Sequence, residues 1–195
     1  MKQEKETIYF ITGNNHKFEE IKKLFQKEEL DYDLKQKTAA TIEIQASNIK
    51  EVALFKLNSV KSFFSNSYFV EDAGFFIDVP LKGFPGVYSK FVLNTIGNKG
   101  ILNLINDYSN TAAHFEAVIA LYFQPLDKIF IFEGSVEGKV SKEIRGSSGF
   151  GYDPIFIPNE LPNTTFAELS IEEKNSISHR ARAWQKLLNF LKEHH

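Results

Sequence analysis

"TIYFITGNNHKFEEIKKLFQKEEL", residues 7 to 30, decides the fold class. "TIYFIT" is rich in β-branched and aromatic residues and reads as a strand, "GNNHK" as a polar turn. Phe18, Ile21, Leu24 and Phe25 then recur at the spacing of one helix face. Where such a strand runs into a helix, free backbone N–H groups and the positive end of the helix dipole face one point. Thr12, Gly13, Asn14, Asn15, His16 and Lys17 therefore form a candidate phosphate cradle. The G-x-x-x-x-G-K-[ST] spacing of a P-loop is missing, and a helix start capped by Asn14 or Asn15 explains the same residues.

The rest of the chain extends this pattern. A helix is expected from Asn48 to Phe64, on an apolar stripe of Ile49, Val52, Ala53, Leu57, Val60 and Phe64. "SYFVEDAGFFIDV" reads as two short β-rich runs hinged at "EDAG", and "LKGFPGVYS" as a Gly/Pro loop. A helix or helix pair through "KFVLNTIGNKGILNLIND", with breaks at Gly97 and Gly100, precedes two long strands around the turn "PLD". A last helix is expected from Ser170 to Lys192, opened by a Ser170/Glu173 capping box. This order predicts an α/β fold with a mixed central twisted β-sheet flanked by helices, and one domain over residues 1–195.

Composition narrows the function. A hydrophobic content of 43% with 19 Phe supplies core material that disordered chains lack. Lys and Arg number 23 against 25 Asp and Glu, for a net charge of -2, so long nucleic acid is not an expected partner. Cysteine is absent, which removes disulfides and thiolate chemistry. The charged N-terminus and the lack of a long apolar run predict a soluble, cytoplasmic protein with no membrane partner.

Three further clusters carry chemistry. Glu43 in "IEIQ" and the pair Glu71 and Asp72 in "VEDAG" place carboxylates beside apolar strand residues, where a charge needs a cation. Mg2+ shared with substrate phosphates satisfies them, and so does an ion pair with a lysine such as Lys56. In "GSSGFGYDPIF", residues 146 to 156, Gly146, Gly149 and Gly151 permit unusual backbone angles, Phe150 and Tyr152 offer flat faces, and Asp153 is fixed by Pro154. A planar base stacked there gains roughly 1–3 kcal/mol, although a glycine-rich turn with two packed rings has the same composition. Finally, Lys174 and Arg180 stand six residues apart, off one helix face, so a turn at "NSIS" is expected to gather Lys174, His179 and Arg180. Beside a pocket, His179 and Arg180 become donors to oxygen acceptors; elsewhere they are solvated surface.

In order and spacing, "TGNNHK", "IEIQ", "EDAGFFIDVPLKGFPGVYSKF", "GSSGFGYDPIF" and "TFAELSIEEKNSISHRARA" resemble the inosine triphosphate pyrophosphatase family, also called Ham1-like or XTP/dITP diphosphatases. The resemblance implies an elongated molecule with a central cleft, a homodimer, and a Mg2+-dependent hydrolase. It would convert ITP, dITP and XTP to the monophosphate and pyrophosphate. By this similarity Glu43 and Asp72 carry the metal, Asp72 is the proton acceptor, and the adjoining Ala73 contacts substrate. Residues Thr12 to Lys17, with Lys56 and Lys174, hold the triphosphate, and Phe150, Gly151, Tyr152 and Asp153 wall the base. His179 and Arg180 meet its 6-oxo edge, and the loop Gly83 to Ser89 shapes the cleft floor and the dimer contact. Ala73 replaces the Ser or Thr usual after the catalytic Asp, and "NTAAHF" lacks an arginine often found there. Two other readings compete: a Maf-like pyrophosphatase acting on other modified nucleotides, which "SHR" and "FGYD" speak against, and a catalytically silent nucleotide- or RNA-binding module.

Overall fold

A computed structural model describes residues 5–194, apart from the side chain of His16. The strand-turn-helix opening is present as β1 (Glu6–Ile11) and α1 (Asn15–Lys27). Asn14 is the N-cap, its side chain accepting from the Lys17 N–H at 3.2 Å. The chain returns through β2 (Tyr32–Lys37), crosses by α2 (Ile49–Ser59) and enters β3 (Ser67–Ile77). After β4 (Phe84–Gly86) come α3 (Ser89–Thr95) and α4 (Gly97–Ile105), then the long strands β5 (Ala112–Phe123) and β6 (Lys128–Val140). β7 (Phe156–Pro158), α5 (Ile171–Ile177) and α6 (His179–Glu193) complete the order.

The sheet runs β2-β1-β3-β5-β6-β7, with β4 paired to β3. β1 lies parallel to β2 and β3, while β3, β5 and β6 are antiparallel, so the sheet is mixed as expected. The crossover helices go to opposite faces. α1, with α6, covers the face showing Phe69, Ala117, Ile119 and Leu121, and α2 covers the face showing Tyr68, Val70, Val118 and Ala120. The C-terminal end of β1 is therefore a topological switch point, where open sheets of this kind bind ligands. A third cluster, around Phe75, Phe115, Tyr152 and Phe156, fills the distal half of the α6 face under α3 and α4.

Several sequence expectations are corrected. β3 is one continuous strand, not two runs hinged at "EDAG", because its ladder with β5 is unbroken from Tyr68 to Ile77. Pairing with β1 ends instead, after Phe10 meets Phe69. Helix α2 stops at Ser59 and is followed by a single 3-10 turn, Lys61–Phe63, rather than reaching Phe64. Gly97, at φ 63°, separates α3 from α4, but Gly100 lies inside α4. The last helix is broken at Ser178, whose extended ψ of 153° ends α5 while its hydroxyl caps α6 through the Ala181 N–H. β2, "YDLKQK", has no apolar alternation to announce it; it is an edge strand guarded by Lys35 and Lys37.

Candidate active site

The cleft opens where β1 and β3 part. Beyond Phe69 the edge of β3 has no partner until β4 joins at Phe75, so residues on both faces of this stretch reach one cavity of about 880 Å³. Alternation along the strand puts Glu71 on the α1/α6 face and Asp72 on the α2 face. Thr12, Gly13, Asn14, Asn15 and Lys17 border it at the end of β1; Glu43 and Lys56 on the α2 side; Asp72 and Ala73 on β3. Phe150, Gly151, Tyr152 and Asp153 border it on the glycine loop, with Lys174, His179 and Arg180 at the junction of α5 and α6. Of the expected site residues only the His16 side chain lies outside the described structure.

At the acidic end, Lys56 Nζ stands 2.9 Å from Glu43 Oε1 and 3.3 Å from both Asp72 oxygens. Of the two readings the sequence left open, the ion pair with Lys56 is present, the lysine holding positive charge between the two carboxylates. Burial pushes Asp72 above the ordinary carboxylate range, against the pull of Lys56. Burial pulls Lys56 down, but Asp72 and Glu43 outweigh it and hold it above its ordinary value. Asp72 Oδ2 is buried at ion-pair distance without a hydrogen bond of good geometry, so the site can still accept a cation. Glu43 and Asp72 thus fit Mg2+, which takes carboxylate oxygens and keeps several waters.

Glu71, not among the site residues expected from the family resemblance, organises the centre. Its side chain is 0% exposed, with Oε1 accepting from Arg180 Nε at 3.0 Å and Oε2 lying 3.2 Å from Lys17 Nζ. Burial alone would raise its pKa; Arg180 and Lys17 outweigh that and hold it ionised. Lys17 is pulled below its ordinary value by burial in spite of Glu71. The sequence signal was present, since two acidic residues in succession on a buried strand cannot share one face. Lys90, exposed at the rim, also lines the cavity, and its place in "GVYSKF" gave it no expected role.

The glycine loop supplies the other end. Asp153 is buried, accepting from the Phe150 N–H at 2.7 Å and from Lys174 Nζ at 2.6 Å. Gly149, at φ +75°, packs so closely on the Asp153 carboxylate that a Cβ there would collide with it. The result is a ring held out on a fixed loop: Phe150 is 46% exposed, with Lys174 Nζ 4.8 Å and Arg180 Cζ 5.2 Å from its centroid. The turn expected at "NSIS" does gather Lys174 and Arg180, although the Lys174 ammonium sits on Asp153 rather than at the cradle. Tyr152 does not offer a free face. Its ring stacks on Phe75 at 4.8 Å, and its hydroxyl donates to the Ser89 carbonyl at 2.8 Å, tying the glycine loop to the end of the Gly83 to Ser89 loop. His179 is buried and stacked on Phe115 at 4.7 Å, with Nδ1 unpartnered among the described residues. Burial, reinforced by Arg180 and Lys174, keeps its imidazole neutral.

The arrangement therefore has a polyanion end, with a helix N-terminus, lysines and a carboxylate pair, and a planar end with one exposed ring and an unpaired imidazole nitrogen. The chain as a whole is similar to known proteins. The chain is 45% identical over 186 residues to a dITP/XTP pyrophosphatase of Thermococcus kodakarensis, covering 95% of this chain and 97% of that one. It is 41% identical over 187 residues to the dITP/XTP pyrophosphatase of Saccharolobus solfataricus, covering 96% and 94%. Among solved structures, the Staphylococcus aureus Ham1 protein superposes with a TM-score of 0.85 at 28% identity, covering 97% of this chain and 100% of that one. A HAM1 protein from Coxiella burnetii gives 0.83 at 30% identity, covering 96% and 99%. The Ham1 family pattern itself matches residues 8–190, and the chain belongs to the Ham1 family.

Proposed function

We propose that this protein hydrolyses deaminated purine nucleoside triphosphates, dITP, ITP and XTP, to the monophosphate and pyrophosphate, removing mutagenic bases from the nucleotide pool. The observation that carries the reading is His179. A buried imidazole with an unpaired nitrogen costs about 1–3 kcal/mol, and a ligand that pairs with it in the cleft recovers that cost. In the tautomer that carries its proton on the nitrogen facing the base, the imidazole donates to the keto oxygen of hypoxanthine or xanthine. Adenine offers an amino group and leaves the donor unpaired, so ATP is disfavoured by the same margin. The exposed face of Phe150 stacks on the base, and Gly151 lines the cleft beside it, its carbonyl held by the Asn98 amide at 3.0 Å.

At the other end the N-terminus of α1 and Lys17 receive the phosphates, Lys17 exchanging Glu71 for phosphate oxygen. Asp72, raised by burial, is the general base: it takes a proton from the water that attacks the α-phosphorus. The bond from that phosphorus to the bridging oxygen breaks, and pyrophosphate leaves in line. Glu43 and Asp72 would hold Mg2+, which when bound screens phosphate charge and orients the chain. Ala73 leaves room on β3 without a hydroxyl at that contact.

A homodimer is also proposed, supported by exposed Phe84 and Tyr88 on the Gly83 to Ser89 loop and exposed Phe91 on α3, and sedimentation analysis checks it. The whole chain acts as one catalytic domain. A cytoplasmic location agrees with a nucleotide substrate, and no helix among the described residues is long and apolar enough to cross a membrane. The deciding experiment is pyrophosphate release from ITP, XTP, ATP and dTTP with and without Mg2+. ITP and XTP should turn over far faster than ATP, and only with the metal. Equal rates on ATP and ITP, or activity indifferent to Mg2+, would reject the proposal.

A further inference from the structure

We infer that Asp78, His114 and Glu137 form a second cation site, one for a divalent transition-metal ion such as Zn2+, remote from the cleft. Three adjacent strands bring these residues together. His114 on β5 is the ladder partner of Phe76 on β3 and of Glu137 on β6, and Asp78 follows β3 directly. One ligand atom from each lies within 4.8 Å of the others, the one such group of His, Asp and Glu found among the described residues. It contains neither Glu43 nor Asp72, and Asp78 stands six residues beyond Asp72, about 20 Å along an extended strand.

The geometry suits a metal. His114 Nδ1 and Asp78 Oδ2 are 2.9 Å apart, so opening the pair by about 0.5 Å reaches the roughly 3.4 Å between neighbouring ligands of a tetrahedral ion about 2.1 Å from each. An ion between them replaces the single proton that now joins the two atoms. The ring is already oriented, stacked on Phe76 at 4.7 Å and 2°, and Asp78 is anchored by its own N–H on the Ala112 carbonyl at 2.8 Å. Glu137 is exposed and free to swing the remaining distance. His114 and Glu137 also border a polar cavity of about 770 Å³ that admits ion and water. Its cations, Arg182 and Lys186, are turned to other partners: Arg182 to the Ser135 carbonyl and Glu160, Lys186 to the Glu133 carbonyl. Glu116 on the same wall adds negative potential, while Glu133 is paired with Lys50 at 3.2 Å. One imidazole nitrogen with two carboxylates selects Zn2+, Co2+ or Ni2+ over Mg2+ and Ca2+, whose shells are built from oxygen.

Calorimetric titration of the full chain with Zn2+ tests the inference, comparing wild type with His114→Ala and Glu137→Gln. All three proteins keep His194 and His195, so any binding at the C-terminus cancels. Wild type should take up one equivalent more than His114→Ala. Glu137→Gln should bind that equivalent about tenfold or more weakly, and the Zn2+-induced rise in Tm should shrink in both variants. Hydrolysis of ITP with Mg2+ should be unchanged. Equal Zn2+ stoichiometry and affinity in His114→Ala would overturn the site. So would wild-type affinity in Glu137→Gln, an exposed substitution that keeps the fold.

Discussion

Glu71 and Asp72 are neighbours in sequence and face opposite ways, which divides one acidic dipeptide into two jobs. Asp72 turns to Lys56 and Glu43, and Asp72→Asn should lower kcat by about 10²- to 10⁴-fold, the usual contribution of a general base. ITP binding, measured by calorimetry without turnover, should change little because the base end is untouched. Glu71 turns inward to Lys17 and Arg180. Glu71→Gln takes the counter-charge from part-buried Lys17 and leaves buried Arg180 only Glu20 at 3.9 Å, a change of the kind that costs about 3–5 kcal/mol in buried pairs. Urea unfolding should show that loss, and the surviving enzyme should prefer ITP over ATP less strongly, since Arg180 is no longer held. Retained stability and preference would remove Glu71 from the centre of the site. Asp72 was legible in the motif, whereas the role of Glu71 depends on Lys17 and Arg180, which lie 54 and 109 positions away in the chain.

Among the elements, the junction of α5 and α6 matters most. Ser178 ends one helix and caps the next, so His179 and Arg180 sit in the first turn of α6, pinned by the cap. Close packing pins them too, because Gly134 of β6 lies against the His179 carbonyl with no room for a Cβ. Ser178→Ala should cost about 0.5–2 kcal/mol in stability by thermal or urea melts. It should also raise KM for ITP more than it lowers kcat, because the fraying turn carries base contacts and not the proton acceptor. Periodicity did not mark this break, since Ile177 and Ala181 continue a helical pattern; the six-residue spacing of Lys174 and Arg180 pointed to a turn at "NSIS", and the Ser178 cap fixes where it falls. The parting of β1 from β3 was equally hidden, since nothing in "FVEDAGFF" distinguishes a paired edge from a free one.

For the whole molecule, burial of His179 sets a pH limit. The folded protein keeps this imidazole neutral, while the unfolded chain takes up a proton there near the ordinary pKa of 6.5. Its contribution to stability is complete above about pH 6.5 and is lost as pH falls below it, because protons favour the unfolded state. Tm should therefore drop between about pH 7 and pH 5, and His179→Asn should flatten that drop. An identical pH profile in the variant would assign the acid sensitivity elsewhere. The sequence alone determined the alternation of strands and helices, the capped starts of α1 and α5, and the inventory of carboxylates, cations, glycines and rings, because hydrophobic period and turn chemistry act between near neighbours. Tertiary structure alone decided that the β1–β3 ladder ends at Phe69, that Tyr152 is core while Phe150 is free, and that Glu71 joins Lys17 to Arg180. Those outcomes depend on which distant surfaces exclude water from one another, and a one-dimensional pattern does not encode that competition locally.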